Sequence, residues 1–306
     1  MNWSLVAAHL PESPGHEREQ MLLSLVKSGP ILHPWAPLRV SDNGHTIDLE
    51  VSQDALAIGT RGDAVRIAVS ATLAQHIADH LDALLLTPRV SELIHQQASV
   101  RITPSFQKSD AAMGNTSRFV DHSHAIDKKI AAHGGSGLTS TVGKDWVLTN
   151  RLLESSNPNI AANYGWHTPS NRATQPVGIR HDRFHVDYSQ TWRGMRRACM
   201  VDGAPARLDD VLRDPTLAPL LSAEGVLRVL RVPGVPSSTG QPSAAAPRTL
   251  RRDMTGSDVA AWQRFLGIAE DGIFGPNTEV ATKAWQAARG LVADGVVGAR
   301  TRSAAK

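Results

Sequence analysis

Six of the thirteen histidines fall between His122 and His185, and acid/base side chains stand close to them in the sequence. Asp121, His122 and His124 share the segment FVDHSHAIDKK. Lys144 and Asp145 form GKDW, and Tyr164 and His167 form YGWH. His181, His185, Asp187, Tyr188 and Ser189 lie in HDRFHVDYSQ. The last cluster is the most informative. Read as a strand over 183–189, it turns Phe184, Val186 and Tyr188 to the core and His185, Asp187 and Ser189 to the other face. Imidazole plus carboxylate is a usual ligand set for hydrolytic zinc. It is equally a base with its orienting partner. His181, His185 and Asp187, joined by His122 and His124, are the candidate metal ligands. For catalysis the candidates are His181, His185, Asp187 and His167, with Lys144 or Tyr164 stabilising a developing oxyanion.

Other chemistries find less support. HExxH and GxSxG are both absent. The single cysteine, Cys199 in RRACMVDG, excludes an intrachain disulfide framework and a multi-cysteine zinc site, and reads as a buried thiol. A glycosidase needs two carboxylates flanking the bond. Asp121, Asp145 and Asp187 are available for that role.

Positioning these groups calls for a mixed α+β domain. Residues 45–51, 55–58, 64–69 and 145–149 read as strands. Ser70 caps a helix carrying Leu73, Ile77 and Leu81, and Pro88 opens another with Val90, Leu93 and Ile94 on one face. Residues 104–118 read as loop and 125–132 as helix. Residues 1–38 are punctuated by prolines and give no element assignment. No run approaches the ~18 apolar residues of a membrane span. Pro11, Glu12 and Pro14 interrupt the first apolar stretch, so no signal peptide is recognised.

The stretch VPGVPSSTGQPSAAAPRT, rich in proline, glycine, serine and alanine, reads as a linker. It divides the chain into a catalytic-type domain at 1–231, a linker at 232–248 and a small all-α module at 249–306. The net charge of +3 resides in Arg248 to Lys306, and this mild positive excess suits an anionic polymer. The Lys and Arg there are too dispersed for nucleic acid.

The module repeats itself. Trp262-Gln263 recurs as Trp285-Gln286, 23 positions on. At the same shift Gly267 maps to Gly290, Asp271-Gly272 to Asp294-Gly295, Gly275 to Gly298 and Thr278 to Thr301. Each unit is a helix, here with Val259, Trp262, Phe265 and Leu266 on the inward face, followed by a DGxxGxxT turn. The Thr is expected to cap the next helix. Two units make a bundle of about three helices. GSDVAAWQRFLG, EDGIFGPNTEVATKAWQ and GLVADGVVGART closely resemble the type 1 peptidoglycan-binding domain. Tryptophan stands where that family more often has leucine or phenylalanine. The resemblance implies a non-catalytic module that targets bacterial cell wall, with Trp262, Asp271, Gly272, Trp285, Asp294 and Gly295 as candidate ligand contacts.

A wall-targeting module on a flexible linker raises the effective concentration of its cargo at the wall. The expectation is therefore a monomeric peptidoglycan hydrolase of the cell envelope or exterior, a peptidase or amidase with a His/Asp site that could hold zinc. The alternatives are a metal-free His/Asp hydrolase or glycosidase, and a non-catalytic wall-binding protein. Zinc peptidases of the D-alanyl-D-alanine carboxypeptidase type carry SxHxxGxAxD. His181 and Asp187 are six apart without that context, so the chain is not assigned to them.

Overall fold

The computed structural model describes residues 3–236 and 249–305. The chain forms two compact units, Met1–Ser238 and Thr239–Lys306. The mixed α+β character of the first and the helical character of the second are as the sequence patterning predicts.

The first unit begins with helices α1 (Trp3–Ala7) and α2 (His16–Ser28), which occupy the stretch that gave no sequence assignment. Strands β1 (Ile31–Leu32), β2 (Trp35–Asp42), β3 (His45–Ser52), β4 (Ala57–Ile58) and β5 (Val65–Arg66) follow. Helix α3 (Ala71–His80) starts where Ser70 accepts a hydrogen bond from the Leu73 backbone N–H, as expected of an N-cap. After β6 (Ala83–Leu85), α4 (Pro88–Gln97) has Pro88 in its first turn and Thr87 as its cap. Strand β7 (Val100–Arg101) leads to α5 (Thr116–His133), which begins nine residues before the expected start at 125.

Two short strands, β8 (Thr139–Ser140) and β9 (Lys144–Trp146), precede a 3-10 turn at Asn150–Glu154. The hairpin of β10 (Ile160–His167) and β11 (Ala173–Asp182) comes next. Then come β12 (Gln190–Thr191), β13 (Gly194–Val201), β14 (Ala204–Arg207) and two one-turn helices, α6 (Leu208–Val211) and α7 (Ala218–Leu221). One sheet has the order β14-β13-β3-β2, with β6 added to β13. The sheet that matters for the site runs β11-β10-β9-β12.

Val232 and Val235 are buried in the core of this unit, and the Val232 N–H donates to Gln75 Oε1. Packed residues of this unit thus extend past 231, the boundary expected from composition. Proline and glycine composition hid two valines three apart that pack inward. Of the expected linker, residues 237–248 lie outside the described residues.

The second unit has α8 (Ser257–Leu266), α9 (Pro276–Ala287) and α10 (Ala299–Ala304) around Leu250, Val259, Trp262, Phe274 and Val297. The three helices match the repeat reading.

Candidate functional site

The segment 183–189 is a turn and loop, not the expected strand. Asp182 breaks the ladder locally: its carboxylate accepts from the Phe184 N–H at 2.8 Å, while its carbonyl accepts from the His185 N–H. Side-chain bonding of this kind competes with strand pairing. Phe184, expected in the core, is therefore 56% exposed, whereas Asp187 and Ser189 are buried.

The chemistry-bearing groups nevertheless converge. β12 pairs parallel to β9 with Gln190 opposite Lys144, and the Lys144 N–H donates to Ser189 O at 2.6 Å. Gly143 permits that approach, because a Cβ there would stand 2.7 Å from Ser189 O and collide with Thr191. Lys144 Nζ then donates to Asp187 Oδ2 at 2.8 Å. Asp187 Oδ1 accepts from the Ser189 backbone N–H at 2.8 Å and from its hydroxyl at 2.5 Å. His185 Nε2, on an exposed side chain, stands 4.0 Å from Asp187 Oδ2. The His181 ring stacks on His185, with centroids 4.3 Å apart and planes within 10°.

Burial alone would push the Asp187 carboxyl up. The Lys144 charge and the bonds from Lys144 and Ser189 outweigh it and hold the group below the usual carboxylate range. For His185, burial and Lys144 outweigh the pull of Asp187, so its imidazole titrates below the ordinary value and is neutral near pH 7. Burial and the neighbouring His185 lower His181 in the same way.

His122 projects from α5 into this region, 1% exposed, edge-on to Tyr188 and Trp166 at 5.2 and 5.8 Å. Burial depresses its pKa to about 4, and its Nε2 has no hydrogen-bond partner. His124, two residues on, is exposed. A helical step of two places them on different faces, so they cannot share one metal. The indole of Trp166 lies beside Lys144, 5.7 Å from Nζ to the ring centre, and Phe106, 67% exposed, packs edge-on against it.

Tyr164 and His167 do not join the site. The Tyr164 hydroxyl donates to Glu92 on α4, and His167 stacks on His95 of the same helix at 4.7 Å. Asp145 belongs there too, accepting from Ser91 at 2.6 Å. Residues 164 and 166 would share a face of a regular strand. Here Gly165 and Trp166 both have positive φ, 116° and 60°, which sends Trp166 to the Lys144 side and leaves its neighbours on the other. That turn of the backbone carries no signal in the residue types, and only the fold reveals that buried Trp166 stands beside Lys144.

The zinc reading finds no ligand set. Stacked imidazoles do not converge their lone pairs on one point, and both Asp187 oxygens are engaged, one by an ammonium. Among the described residues no three of His, Cys, Asp and Glu stand so as to hold a metal ion. Burial pushes the Cys199 thiol up to about 11, consistent with an inert buried side chain.

In the second unit the repeat is a pair of clasps. Gln263 Oε1 accepts from the Gly272 N–H at 2.9 Å, while Nε2 reaches Asp271 Oδ1 at 2.7 Å and Ile273 O at 3.0 Å. Gln286 does the same with the Gly295 N–H at 2.9 Å, Asp294 Oδ1 at 2.9 Å and Val296 O at 3.0 Å. Gly272 and Gly295 sit at φ 69° and 73°, where only glycine is unstrained. Thr278 and Thr301 are not caps. The caps are Gly275 and Gly298, and each Thr hydroxyl instead bonds the turn carbonyl and receives the glutamine.

Of the proposed wall contacts, Trp262 is 5% exposed and donates to Thr282, so it is core and cannot touch a polymer. Phe265, expected to face inward, is 45% exposed. It and half-buried Trp285 meet edge-on at 5.5 Å. The Arg289 guanidinium lies 4.1 Å from the Trp285 ring centre.

No curated protein and no solved structure is similar to the chain in either of those comparisons. One family model matches, that described as Putative peptidoglycan binding domain, over residues 261–304. Those residues span the second half of α8 through α10 and both clasped turns, so the C-terminal unit carries a peptidoglycan-binding domain of that family.

Proposed function

We propose that the first unit is a metal-free hydrolase of amide bonds in peptidoglycan, delivered to the wall by the second. The observation that carries this reading is the buried Asp187 carboxylate held between the Lys144 ammonium and the accessible His185 imidazole. A base that is neutral near pH 7, beside a fixed carboxylate, suits proton abstraction from water. In the proposed step His185 Nδ1, the ring nitrogen turned away from Asp187, takes a proton as the water oxygen bonds to the carbonyl carbon. Asp187 stabilises the resulting imidazolium. Lys144 has two N–H groups beyond the one given to Asp187, and these can meet the developing oxyanion. The proton then passes from His185 to the nitrogen as the C–N bond breaks. The separation of 4.0 Å exceeds a hydrogen bond, and the exposed His185 side chain must close it for the pair to act.

A glycosidase fits less well. Asp145 lies on the α4 side of the sheet and Asp121 is exposed on α5, which leaves Asp187 alone of the three aspartates considered. The test is product analysis on purified sacculi with and without a chelator. New amino and carboxyl ends, released equally in both, support the proposal. New reducing sugar ends would favour a glycosidase, chelator-sensitive release would restore the zinc reading, and no release would leave a wall-binding protein without catalysis.

A further inference from the structure

A cavity of about 500 Å³ lies on the far side of the loop that carries His185 and Asp187. Phe184 and Val186, the residues alternating with those two, form part of its wall, and Leu23 of α2 and Leu73 of α3 supply more apolar surface. Two charged side chains also line it, Glu19 of α2 and Arg183 of the loop. The size and the mix of apolar wall with few polar groups are those of a small-ligand site.

Glu19 is the informative member. Its oxygens accept from the Ser70 N–H at 2.9 Å and the Ser70 hydroxyl at 2.7 Å, and it forms no ion pair among the described residues. An ionised carboxylate has about four acceptor positions, so two remain. Burial raises its pKa, and the Ser70 bonds and the charges of Arg18 and His16 offset that only in part. Arg183 stacks its guanidinium over Phe184, 4.7 Å from the ring centre, and donates one bond to Pro233 O at 3.3 Å. Its Nε has no partner. The cavity thus presents a carboxylate with no direct ion pair among the described residues and one incompletely bonded guanidinium, with the His16 and His76 imidazoles also in its wall.

We infer that this cavity binds an amino-acid or short-peptide end that carries an ammonium and a carboxylate on an aliphatic body, the ammonium at Glu19 and the carboxylate at Arg183. A stem peptide of peptidoglycan has that chemistry, and a neutral glycan does not. The inference rests on the wall as partner and deepens the hydrolase reading by assigning the peptide, not the sugar, to a cavity walled by Phe184 and Val186, the neighbours of His185 in the same loop.

The experiment is calorimetric titration of the full chain with Nα-acetyl-L-lysyl-D-alanine, which bears one ammonium and one carboxylate. Its Nε-acetylated and C-terminal amide counterparts, free lysine and an N-acetylglucosamine oligomer serve as comparisons. The expected result is saturable binding that weakens at least tenfold on blocking either charge. Glu19→Gln and Arg183→Gln should weaken it equally, while His185→Ala leaves it intact. Tighter binding of free lysine than of the dipeptide would replace the wall peptide with a free amino acid as ligand. Equal binding by wild type and Glu19→Gln, no binding by wild type, or sugar binding lost in Glu19→Gln would overturn the inference. Because His185→Ala is expected to bind, a failed hydrolase reading and a failed ligand site give different results.

Discussion

The two units treat buried polar groups in opposite ways. In the C-terminal unit the amide oxygen and nitrogen of Gln263 and Gln286 are both bonded, and they bond the same three kinds of partner 23 residues apart. In the N-terminal unit His122 Nε2, Trp166 Nε1 and His167 Nε2 are buried without partners. All thirteen histidines lie in the N-terminal unit. A satisfied buried amide fixes a turn, and its role is structural. An unsatisfied buried imidazole costs stability, a cost that proteins accept mainly where a ligand or a proton is handled. The difference separates the bonded clasps of the second unit from buried imidazoles without partners in the first, of which His122 borders the site of the proposed hydrolase.

The largest expected effect that would sharpen this contrast comes from Asp187→Asn. It removes the charge facing Lys144, and breaking a buried pair costs about 3–5 kcal/mol. Thermal unfolding should show the N-terminal transition falling steeply while the C-terminal one stays in place. An unmoved midpoint would show that the pair is solvated and that the site has been misread. The notion that Asp187 is a free surface carboxylate, which a strand over 183–189 suggests, predicts that unmoved midpoint.

Acidification should also split the two units. His122 and His167 titrate at about 4 in the folded state, chiefly through burial, against about 6.5 when unfolded. Their depressed values mean that the unfolded chain takes up protons first as pH falls. Stability is therefore full above pH 6.5 and declines toward pH 4, by on the order of 3 kcal/mol for each histidine. The C-terminal unit has no histidine, and the depressed carboxyls of Asp271, Glu279 and Asp294 give up stability only near and below about pH 4.5. It should therefore hold while the first unit is already losing stability between about pH 6.5 and 5. Parallel loss in both units over that range, followed by calorimetry from pH 7 to 4, would contradict the account.

Within the C-terminal unit, Gln263→Ala leaves the Gly272 N–H and Asp271 without their partner. It should cost about 2 kcal/mol and weaken sedimentation with sacculi through unfolding, not through a lost contact. The smallest effect distinguishes the two turns. A Cβ at Gly295 would stand 2.9 Å from Glu279 Cγ and Lys283 Cε, whereas at Gly272 its nearest neighbour is Gly256 O at 3.4 Å. Both alanine variants carry the penalty of positive φ, about 1 kcal/mol, and Gly295→Ala should exceed Gly272→Ala. Equal midpoints would show that the second turn relaxes freely.

The C-terminal unit was legible because its determinants are local. Asp, Gly and Gln positions at a fixed spacing encode turns that close within some ten residues, while the capping role of Thr278 and Thr301, the wall contact of Trp262 and the inward face of Phe265 were misassigned. Helices α3 and α4 were legible for the same reason, through Ser70 and Pro88. The site was legible in part. His181, His185, Asp187 and Lys144 do converge, yet through a turn set by Asp182 and a parallel pairing of β9 with β12, neither of which a period-two pattern reveals. Tyr164 and His167 were misplaced because two residues with positive φ, Gly165 and Trp166, exchange the faces of β10. Glu19 of α2 and Arg183 of a loop some 160 positions away in the sequence line one cavity, a juxtaposition that only the tertiary fold creates.

The division of labour is tested most directly by the full-length His185→Ala chain on purified sacculi, with bound protein and released fragments measured in one experiment. His185 is exposed and outside the second unit, so the account predicts wild-type sedimentation with release of peptide fragments reduced about 10²- to 10⁴-fold, the range for a lost general base. Release at the wild-type rate, or sedimentation lost together with release, would contradict it.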